Sequence, residues 1–281
     1  KLWNYVLNEP RGGVFKHVNL IVPPKDPAAD MGFIIMEPLD LPPMSGSNSI
    51  CVATVLLEKG IIPITNSTMK LTLEAPGGLI DIEAKCNEQK VESIKIKNLP
   101  SFVVDFEKEI VVEGIGTLIV TTAYGGDCFV LVDNKNLGIE INPDNADQIV
   151  TACSKIIKAA NEQLGFSHPL VSNMNAISFC MLMDKSEVNA DGIQQARNTV
   201  CIRPKKLDRS PCGTGTSARL AYMYLKKEIH LHEKFISQSI LDTTFECELV
   251  SKEEKDGTLC VVPEIKGQAW ITGEQKLYLD N

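Results

Sequence analysis

Cys212 is the residue whose neighbours most clearly indicate chemistry in this sequence. It lies in the segment DRSPCGTGTSA (residues 208–218), directly before the apolar run RLAYMYL. A structural cysteine behaves as a small hydrophobe and belongs inside such a run. Cys212 instead stands where the run begins, among polar residues and glycines. We therefore expect a reactive thiol and not a core residue.

The start of a helix at this point would give the thiol a chemical role. The first backbone N–H groups of a helix have no internal partner and carry partial positive charge, so they bind anions such as carboxylates. The same field favours thiolate over thiol, which predicts a lowered pKa for Cys212. Gly213 would let a ligand approach the backbone closely. The segment therefore predicts an anion site beside a reactive sulfur atom.

A second segment, in the first half of the chain, has the same pattern. The run SGSNSICVATVLLEK (residues 45–59) aligns with CGTGTSARLAYMYLK (residues 212–226), which sets Ser45 opposite Cys212. The other paired positions are Gly46 with Gly213 and Ser47 with Thr214. Both segments follow proline-bearing loops and are then apolar nearly all round, as in a helix buried on most sides. Each predicts a loop that delivers a small nucleophilic side chain to the amino end of a buried helix.

Two helix starts facing one cleft could remove a proton from a carbon next to a carboxylate. Their N–H donors would hold the carboxylate and stabilise the charge that develops on it, without a cofactor. A base on one face of the carbon and an acid on the other would invert its configuration. Elimination would follow instead if a leaving group stood on the next carbon.

The elements around these segments predict an α+β fold. Strand-like runs, separated by Pro-Gly-Gly, Gly-Ile-Gly and Gly-Gly turns, dominate the sequence. The clearest runs cover residues 18–22, 69–74, 80–85, 110–112, 117–122 and 128–132. Apolar residues at helical spacing predict a helix from Pro143 to about Leu164. Strands and helices do not alternate strictly, which favours α+β over a doubly wound fold. Residues 98–101 are expected to join two halves.

The composition limits which kinds of partner the protein is expected to bind. A chain of 281 residues, 44% hydrophobic and 23% charged, predicts a soluble globular protein with room for two domains. Its net charge of -8 argues against nucleic acid or an anionic membrane as the main partner. We recognise neither an apolar run of about 18 residues nor a signal peptide. Nine cysteines without a Cys-x-x-Cys pair favour a reducing, cytoplasmic setting and give no support to a metal site.

Longer motifs show a family resemblance. DRSPCGTGTSAR (residues 208–219) resembles the second active-site motif of the proline racemase family, which includes hydroxyproline epimerases and 3-hydroxyproline dehydratases. MSGSNSI (residues 44–50) is similar to the first motif of that family, usually Met-Cys-Gly-His. Supporting matches are EPRG at 9–12, AYGG at 123–126, HP at 168–169 and ITG at 271–273. The resemblance covers nearly the whole chain.

The resemblance implies two pseudo-symmetric domains of diaminopimelate-epimerase-like fold. Each domain would wrap a β-sheet around one buried helix, and the active site would lie in the interdomain cleft. We assign residues 1–100 to the first domain and residues 101–281 to the second, whose C-terminal end could return to the first. Family members usually start further upstream, so we expect the natural protein to extend beyond Lys1.

The resemblance also implies roles for seven residues. Cys212 corresponds to one of two catalytic thiols, and Ser45 stands where the other thiol is usual. Asp208 matches the aspartate that contacts the substrate amine. The residues whose backbone N–H groups would grip the carboxylate are Gly46, Ser47, Gly213 and Thr214. No cofactor is implied, the partner is a small-molecule substrate (hydroxyproline or proline), and a homodimer is left open.

Two departures from the family pattern bear on the reaction. Ser45 replaces a thiol, and Ser47 replaces a histidine. Because a serine hydroxyl has a far higher pKa than a thiol, Ser45 alone is a poor base, which argues against efficient two-way proline racemisation. One strong base and one weak acid suit dehydration of 3-hydroxyproline, which we favour slightly, or epimerisation of hydroxyproline at C2. A proline racemase or a related amino-acid epimerase is the alternative.

Other interpretations of the same residues stay open. A non-catalytic amino-acid-binding protein could keep the cleft after losing one thiol. Ser45 would look the same as a simple helix cap, and Asp208 could be a turn residue. GTGTSA fits a dinucleotide-binding pattern, but no strand leads directly into it, so nucleotide binding is not expected. The four histidines are scattered, and for His230 and His232 we expect solvated rings instead of metal ligands.

Overall fold

The computed structural model describes residues 2–39, 41–168, 174–202, 206–255 and 257–278. Within these ranges the chain forms four α-helices, two short 3₁₀ helices and fifteen strands. The helices are α1 (Leu2–Leu7), α2 (Gly46–Glu58), α3 (Ala146–Gln163) and α4 (Gly213–Leu225), with 3₁₀ turns at Asn134–Asn136 and Pro143–Asn145. The strands are β1 (Val18–Val22), β2 (Met31–Met36), β3 (Thr68–Ala75), β4 (Gly78–Asn87), β5 (Lys90–Lys97), β6 (Phe102–Val112), β7 (Gly116–Tyr124), β8 (Cys128–Asp133), β9 (Phe179–Met183), β10 (Glu187–Val188), β11 (Gln194–Ile202), β12 (Lys206–Leu207), β13 (Lys234–Gln238), β14 (Thr244–Lys255) and β15 (Thr258–Gly267).

The α+β fold is confirmed. All six strand-like runs lie within strands, namely β1, β3, β4, β6, β7 and β8. The predicted helix is a 3₁₀ turn at Pro143–Asn145 followed by α3 at Ala146–Gln163. Asn142 starts the turn by accepting a hydrogen bond from the backbone N–H of Asn145. None of the helices in the described residues is long and apolar enough to cross a membrane.

The strands form one connected sheet, in which strands from the N-terminal third of the chain pair with strands near its C-terminus. Its main path runs β1-β2-β3-β4-β5-β15-β14-β13-β11-β9-β8-β7-β6, and β10 and β12 pair with β11. The antiparallel pairing of β5 with β15 sets Lys97 opposite Glu264 and Ile94 opposite Gly267. The C-terminal strands β13, β14 and β15 therefore continue the N-terminal group of strands. The domain boundary at residue 100 stays a prediction.

Two helices, α2 and α4, are buried on most sides, as their apolar sequences predicted. Nine of the 13 residues of α2 and ten of the 13 residues of α4 are buried. Leu56 and Leu57 of α2 pack in one core with Ile94 and Ile96 of β5. The same core contains Leu220 of α4, so both helices contribute to it.

Strand β8 separates α4 from α3. Because successive side chains of a strand point to opposite faces, β8 serves two cores. Phe129 and Leu131 lie in the core that contains Ala218 of α4. Val130 lies in the other core, with Ile156 of α3. This burial on both faces explains the continuous apolar run CFVLV at residues 128–132.

A buried arginine fixes α4 against the sheet. Arg219 is 3% exposed, and its guanidinium donates hydrogen bonds to the backbone carbonyls of Arg197, at 3.2 Å, and of Asp184, at 2.7 Å. The guanidinium also lies over the ring of Phe235, with 5.2 Å between its carbon and the ring centroid. Burial lowers the pKa of Arg219 to about 10. These contacts hold the middle of α4 in a fixed place relative to β11.

Candidate active site

The N-termini of α2 and α4 touch each other. Ser45 is the N-cap of α2 and Cys212 is the N-cap of α4, as the aligned segments predicted. The first helical residues are Gly46 and Gly213, and a Cβ atom added to Gly213 would lie 3.1 Å from the Cα atom of Gly46. Glycine at both positions permits this approach without a shift, whereas a Cβ atom at either would require the two backbones to move by a few tenths of an ångström. Two sets of helix-start N–H groups therefore lie side by side.

These helix ends border a cavity of about 240 Å³ that contains every predicted site residue in its lining. The predicted residues in the lining are Ser45, Gly46, Ser47, Asp208, Cys212, Gly213 and Thr214. The structure thus brings together positions 160 residues and more apart in the sequence. A volume of this size suits a small amino acid. The lining also includes residues that the sequence did not single out, among them His17, Glu37, Asp127, Phe179, Val200 and Arg209.

Cys212 is buried and lies in a strained backbone conformation. Its exposed fraction is 7%, and its φ is 63° with ψ 104°, a combination that residues other than glycine rarely adopt. The thiol accepts a hydrogen bond from the backbone N–H of Gly215 at 3.4 Å, and its Sγ lies 3.7 Å from Oγ1 of Thr214. Cys212 lines the cavity and also belongs to the hydrophobic core that contains Phe129 and Ala218, so the expectation that it lies outside the core is wrong.

The predicted lowering of the Cys212 pKa is wrong for this structure. Burial raises the pKa of Cys212 well above its usual value, and the negative charge of Asp208 raises it further. The hydrogen bonds from Gly215 and Thr214 lower the pKa of Cys212, but by less. The helix start therefore acts in the expected direction and is outweighed by desolvation, because a thiolate loses its hydration in a buried site.

Asp208 is linked to Cys212 through Ser210. Oδ1 of Asp208 accepts hydrogen bonds from the backbone N–H and the hydroxyl of Ser210, both at 3.0 Å. The hydroxyl oxygen of Ser210 accepts a hydrogen bond from the backbone N–H of Cys212 at 3.1 Å. Burial raises the pKa of Asp208, while the Ser210 bonds and Lys206 lower it. The carboxylate is therefore held rigidly beside the thiol, where it could pair with a cation.

Ser45 is half-buried at the other helix start and has an ordinary extended backbone, with φ -151° and ψ 121°. Its Oγ lies 3.5 Å from the backbone nitrogen of Asn48, 2.8 Å from Nδ2 of Asn48 and 3.5 Å from Oγ of Ser47. Ser47 occupies the position where the family motif usually has histidine. Its short side chain lines both this cavity and a neighbouring groove that ends at Trp270.

A charged cluster at the edge of the cavity was not predicted. Nδ1 of His17 lies 3.3 Å from Oε1 of Glu37, and Nε2 of His17 lies 2.7 Å from Nζ of Lys206. Burial and the charge of Lys206 lower the pKa of His17 to about 4, so the ring is neutral and bridges two charged groups. The residues come from β1, β2 and β12 or their flanks, and no spacing in the sequence links them. Only the fold brings them together.

The AYGG match at residues 123–126 supports the start of α4. A Cβ atom added to Gly125 would lie 2.1 Å from the backbone oxygen of Thr214, so this turn approaches the helix more closely than any other residue allows. Asn98 is buried beside it and donates hydrogen bonds from Nδ2 to the carbonyl of Gly125 at 3.0 Å and to Oγ of Ser217 at 2.6 Å. Asn98 belongs to the segment 98–101 that was predicted to join two halves, and its hydrogen bonds to Gly125 and Ser217 hold the start of α4.

The remaining motif matches are further from the chemistry. His168 is buried, with its ring edge-on to Tyr124, while Pro169 lies outside the described residues. His230 and His232 are exposed or partly exposed, and Nδ1 of His232 lies 3.2 Å from Oε1 of Glu248. In the described residues, no group of three or more His, Cys, Asp and Glu side chains is arranged to hold a metal ion.

Comparison with solved structures finds proteins of similar fold. A probable proline racemase from Agrobacterium radiobacter K84, with bound carbonate, is 33% identical at a TM-score of 0.91, over 99% of this chain and 81% of that one. A hydroxyproline epimerase from Agrobacterium vitis, with bound trans-4-hydroxy-L-proline, is 34% identical at a TM-score of 0.89, over 97% of this chain and 77% of that one. A Bacillus anthracis phenazine biosynthesis protein of the PhzF family, 14% identical, matches at a TM-score of 0.57 over 91% of this chain and 82% of its own length, and shares the fold.

The fold of the protein is diaminopimelate-epimerase-like. The matches to the two Agrobacterium proteins place it in the class of amino-acid epimerases. The family model described as proline racemase matches residues 1–281. The chain belongs to the proline racemase family.

Proposed function

We propose that this protein is a cofactor-independent hydroxyproline 2-epimerase in which Cys212 and Ser45 exchange protons with Cα. The observation that carries the proposal is the shared cavity: one thiol and one hydroxyl, each capping its own helix, line a space of about 240 Å³. The hydroxyproline epimerase from Agrobacterium vitis, with its bound trans-4-hydroxy-L-proline, supports the choice of substrate.

The substrate carboxylate and the ring amine would bind at different points of the cavity. The N–H groups at the starts of α2 and α4 suit the carboxylate, because helix N-termini favour negative charge. Those groups belong to Gly46, Ser47, Gly213 and Thr214. The Asp208 carboxylate suits the ring ammonium, since a buried charge needs an opposite partner. The amino acid would then present Cα between the two helix caps.

Substrate binding would also prepare the base. In the free enzyme the charge of Asp208 is one cause of the raised pKa of Cys212. Burial is the larger cause, and a ring ammonium beside Asp208 would offset only the part of the shift that the Asp208 charge contributes. The thiolate then takes the proton from Cα, and the electron pair of that C–H bond moves into the carboxylate, where the N–H donors stabilise it. A proton delivered from Ser45 to the other face completes the inversion.

Dehydration of a 3-hydroxyproline is the second candidate. Ser45 is a poor base, which favours dehydration over a reaction that needs a base on each face, because elimination needs only one base. Cys212 would take the Cα proton, the C3–O bond would break, and the hydroxyl would leave as water with a proton from an acid. The product would be a dehydrated, reducible imino acid.

A single experiment separates these reactions. The protein is incubated in deuterium oxide with trans-4-hydroxy-L-proline and with trans-3-hydroxy-L-proline, and the products are followed by NMR and polarimetry. Deuterium at C2 with changed optical rotation is the expected result for both substrates. Loss of water with a borohydride-reducible imine from the 3-hydroxy substrate would establish the dehydratase. Ligand-induced thermal stabilisation without exchange, unchanged in C212A, would instead indicate the amino-acid-binding protein.

The proposal includes the compartment in which the reaction takes place, the cytoplasm. All nine cysteines are free, and eight of them are buried, which suits a reducing cytoplasm. A homodimer stays a prediction, as does the position of the cavity in a cleft between two domains.

A further inference from the structure

The hydroxyl of Ser45 is surrounded by hydrogen-bond donors. Nδ2 of Asn48 donates to its Oγ at 2.8 Å, and the backbone N–H of Asn48 approaches the same oxygen at 3.5 Å. A hydroxyl has two acceptor positions and one proton to donate. With both acceptor positions occupied by Asn48, the proton of the hydroxyl is left to donate, and Oγ of Ser47, 3.5 Å away, can accept it when no substrate is bound. Ser45 is therefore preset to release its proton and not to accept one.

The amide of Asn48 is held in this orientation by a second asparagine. Asn48 is 7% exposed, and its Oδ1 accepts a hydrogen bond from Nδ2 of Asn19 at 2.8 Å. Asn19 is on β1, so the sheet anchors a side chain at the start of α2. An amide oxygen occupied by Asn19 leaves the amide nitrogen directed at Ser45.

The corresponding position in the other helix cannot do this. Asn48 is the third residue after the N-cap of α2, and Gly215 is the third residue after the N-cap of α4. Gly215 contributes only its backbone N–H to the thiol of Cys212. A Cβ atom there would lie 3.1 Å from Sγ of Cys212 and 2.7 Å from the methyl carbon of Met181. The side-chain donor is therefore specific to the serine.

We propose that Asn48 is a positioning residue that fixes Ser45 as the proton donor to the second face of Cα. This inference rests on the proposed function and assigns a direction to it. Cys212 takes the α-proton, and the Ser45 O–H bond breaks as its proton forms the new Cα–H bond. The alkoxide left on Ser45 keeps the two Asn48 hydrogen bonds, which are stronger to a charged oxygen. Exchange with water then returns a proton to Ser45 and removes one from Cys212.

The first test probes Asn48 without any substrate. In S45C the introduced thiol receives the same donors, and its ionisation is followed by the pH dependence of iodoacetamide alkylation at that peptide, using mass spectrometry. N48D in the S45C background keeps the shape of the side chain but also adds a negative charge that raises the thiol pKa by itself. N48L, which removes the amide donor without adding a charge, is therefore the deciding variant. We expect the alkylation midpoint to move to higher pH in both double variants, S45C/N48D and S45C/N48L. The Cys212 peptide in each sample is the internal reference and should not move.

A midpoint that stays in place or moves to lower pH overturns the proposal, because Asn48 would then not donate to position 45. N19A, at a half-buried position, provides a second variant should N48D reduce stability: releasing Oδ1 of Asn48 should give a smaller upward shift of the same midpoint. An unchanged midpoint in N19A with a folded protein would contradict the anchoring role.

The second test follows the reaction in deuterium oxide with Ser45 in place. N48D should keep deuterium wash-in at C2 with retention of configuration, catalysed from the Cys212 face, and lose inversion by about tenfold or more in kcat, with little change in KM. Equal loss of wash-in and inversion would mean that Asn48 is merely structural. If the unmodified protein shows no exchange with hydroxyproline, the proposed function fails, while the S45C titration still decides the role of Asn48.

Discussion

The starts of α2 and α4 share one backbone arrangement, an N-cap followed by a buried helix, but their N-cap side chains differ chemically. Each helix has 13 residues, begins after an N-cap that could act on a proton, and is followed by a lysine as its C-cap. At α2 the cap is a half-buried hydroxyl with ordinary backbone angles, whereas at α4 it is a buried thiol at φ 63°. In the proposed reaction, the matching helix starts would position the substrate, and the difference between the caps would set the direction of proton transfer.

The environments of the two caps also differ in charge. Asp208 and Ser210 lie beside the thiol, and the carboxylate raises the pKa of Cys212. The hydroxyl of Ser45 has instead a neutral pair of asparagines, Asn48 and Asn19. In the proposed reaction, the carboxylate beside the thiol would pair with the ammonium of the substrate. Neutral amide donors beside the hydroxyl favour its deprotonated form, so they make it a better acid.

Removal of each cap should have unequal consequences, and this is the largest effect that we predict. C212A should reduce all exchange at C2 by at least about a thousandfold, because it removes the base. S45A should abolish inversion but keep deuterium wash-in with retention. NMR of C2 deuteration together with chiral chromatography measures both. Equal effects of the two variants would mean that the caps are interchangeable.

Separation of the two helix starts should be the next largest effect. G213A places a methyl group 3.1 Å from the Cα atom of Gly46, so the backbones must move apart. A misplacement of about 1 Å costs on the order of a hundredfold, and the shift required here is only a few tenths of an ångström, so we expect a loss of about twentyfold in kcat/KM. G273A is the matched control, since a Cβ atom there meets nothing within 4 Å. Full activity in G213A would show that contact between the helix starts is dispensable.

Removal of the charge beside the thiol should change its ionisation. Burial and Asp208 raise the pKa of Cys212, so the thiol predominates in the free protein and the thiolate increases as pH rises. D208N removes one of these causes, so the alkylation midpoint of Cys212 should move to lower pH, while turnover is lost with the amine partner. The control is E37Q, which removes a carboxylate that lines the same cavity near His17. A midpoint unchanged in D208N would contradict the coupling.

The smallest effect is expected when the caps are made alike. S45C should accelerate the direction in which position 45 acts as the base, by about tenfold, because a thiol ionises far more readily than a hydroxyl. The forward direction should change less. Initial rates from each C2 epimer, compared with the unmodified protein, give the two directions separately. A uniform loss in both directions would show that the cavity requires the smaller oxygen atom.

Local patterns in the sequence were sufficient for the elements and for the pairing of the two segments. The alignment that set Ser45 opposite Cys212 located both N-caps to the residue, because cap chemistry and apolar periodicity are local properties. The pKa of Cys212 was predicted in the wrong direction for the opposite reason. Desolvation depends on everything packed around the thiol, and neighbours in the sequence do not reveal it.

The sequence by itself determined two buried helices, their small-residue starts and the side chains that cap them. Tertiary structure alone decided that Gly46 and Gly213 touch, that His17 bridges Glu37 and Lys206 at the edge of the cavity, and that Asn19 reaches Asn48. The reason is the range of the forces. Helix capping and periodicity act within a few residues, whereas the contacts that close the site join strands and helices up to 189 positions apart, and only the folded sheet fixes those distances.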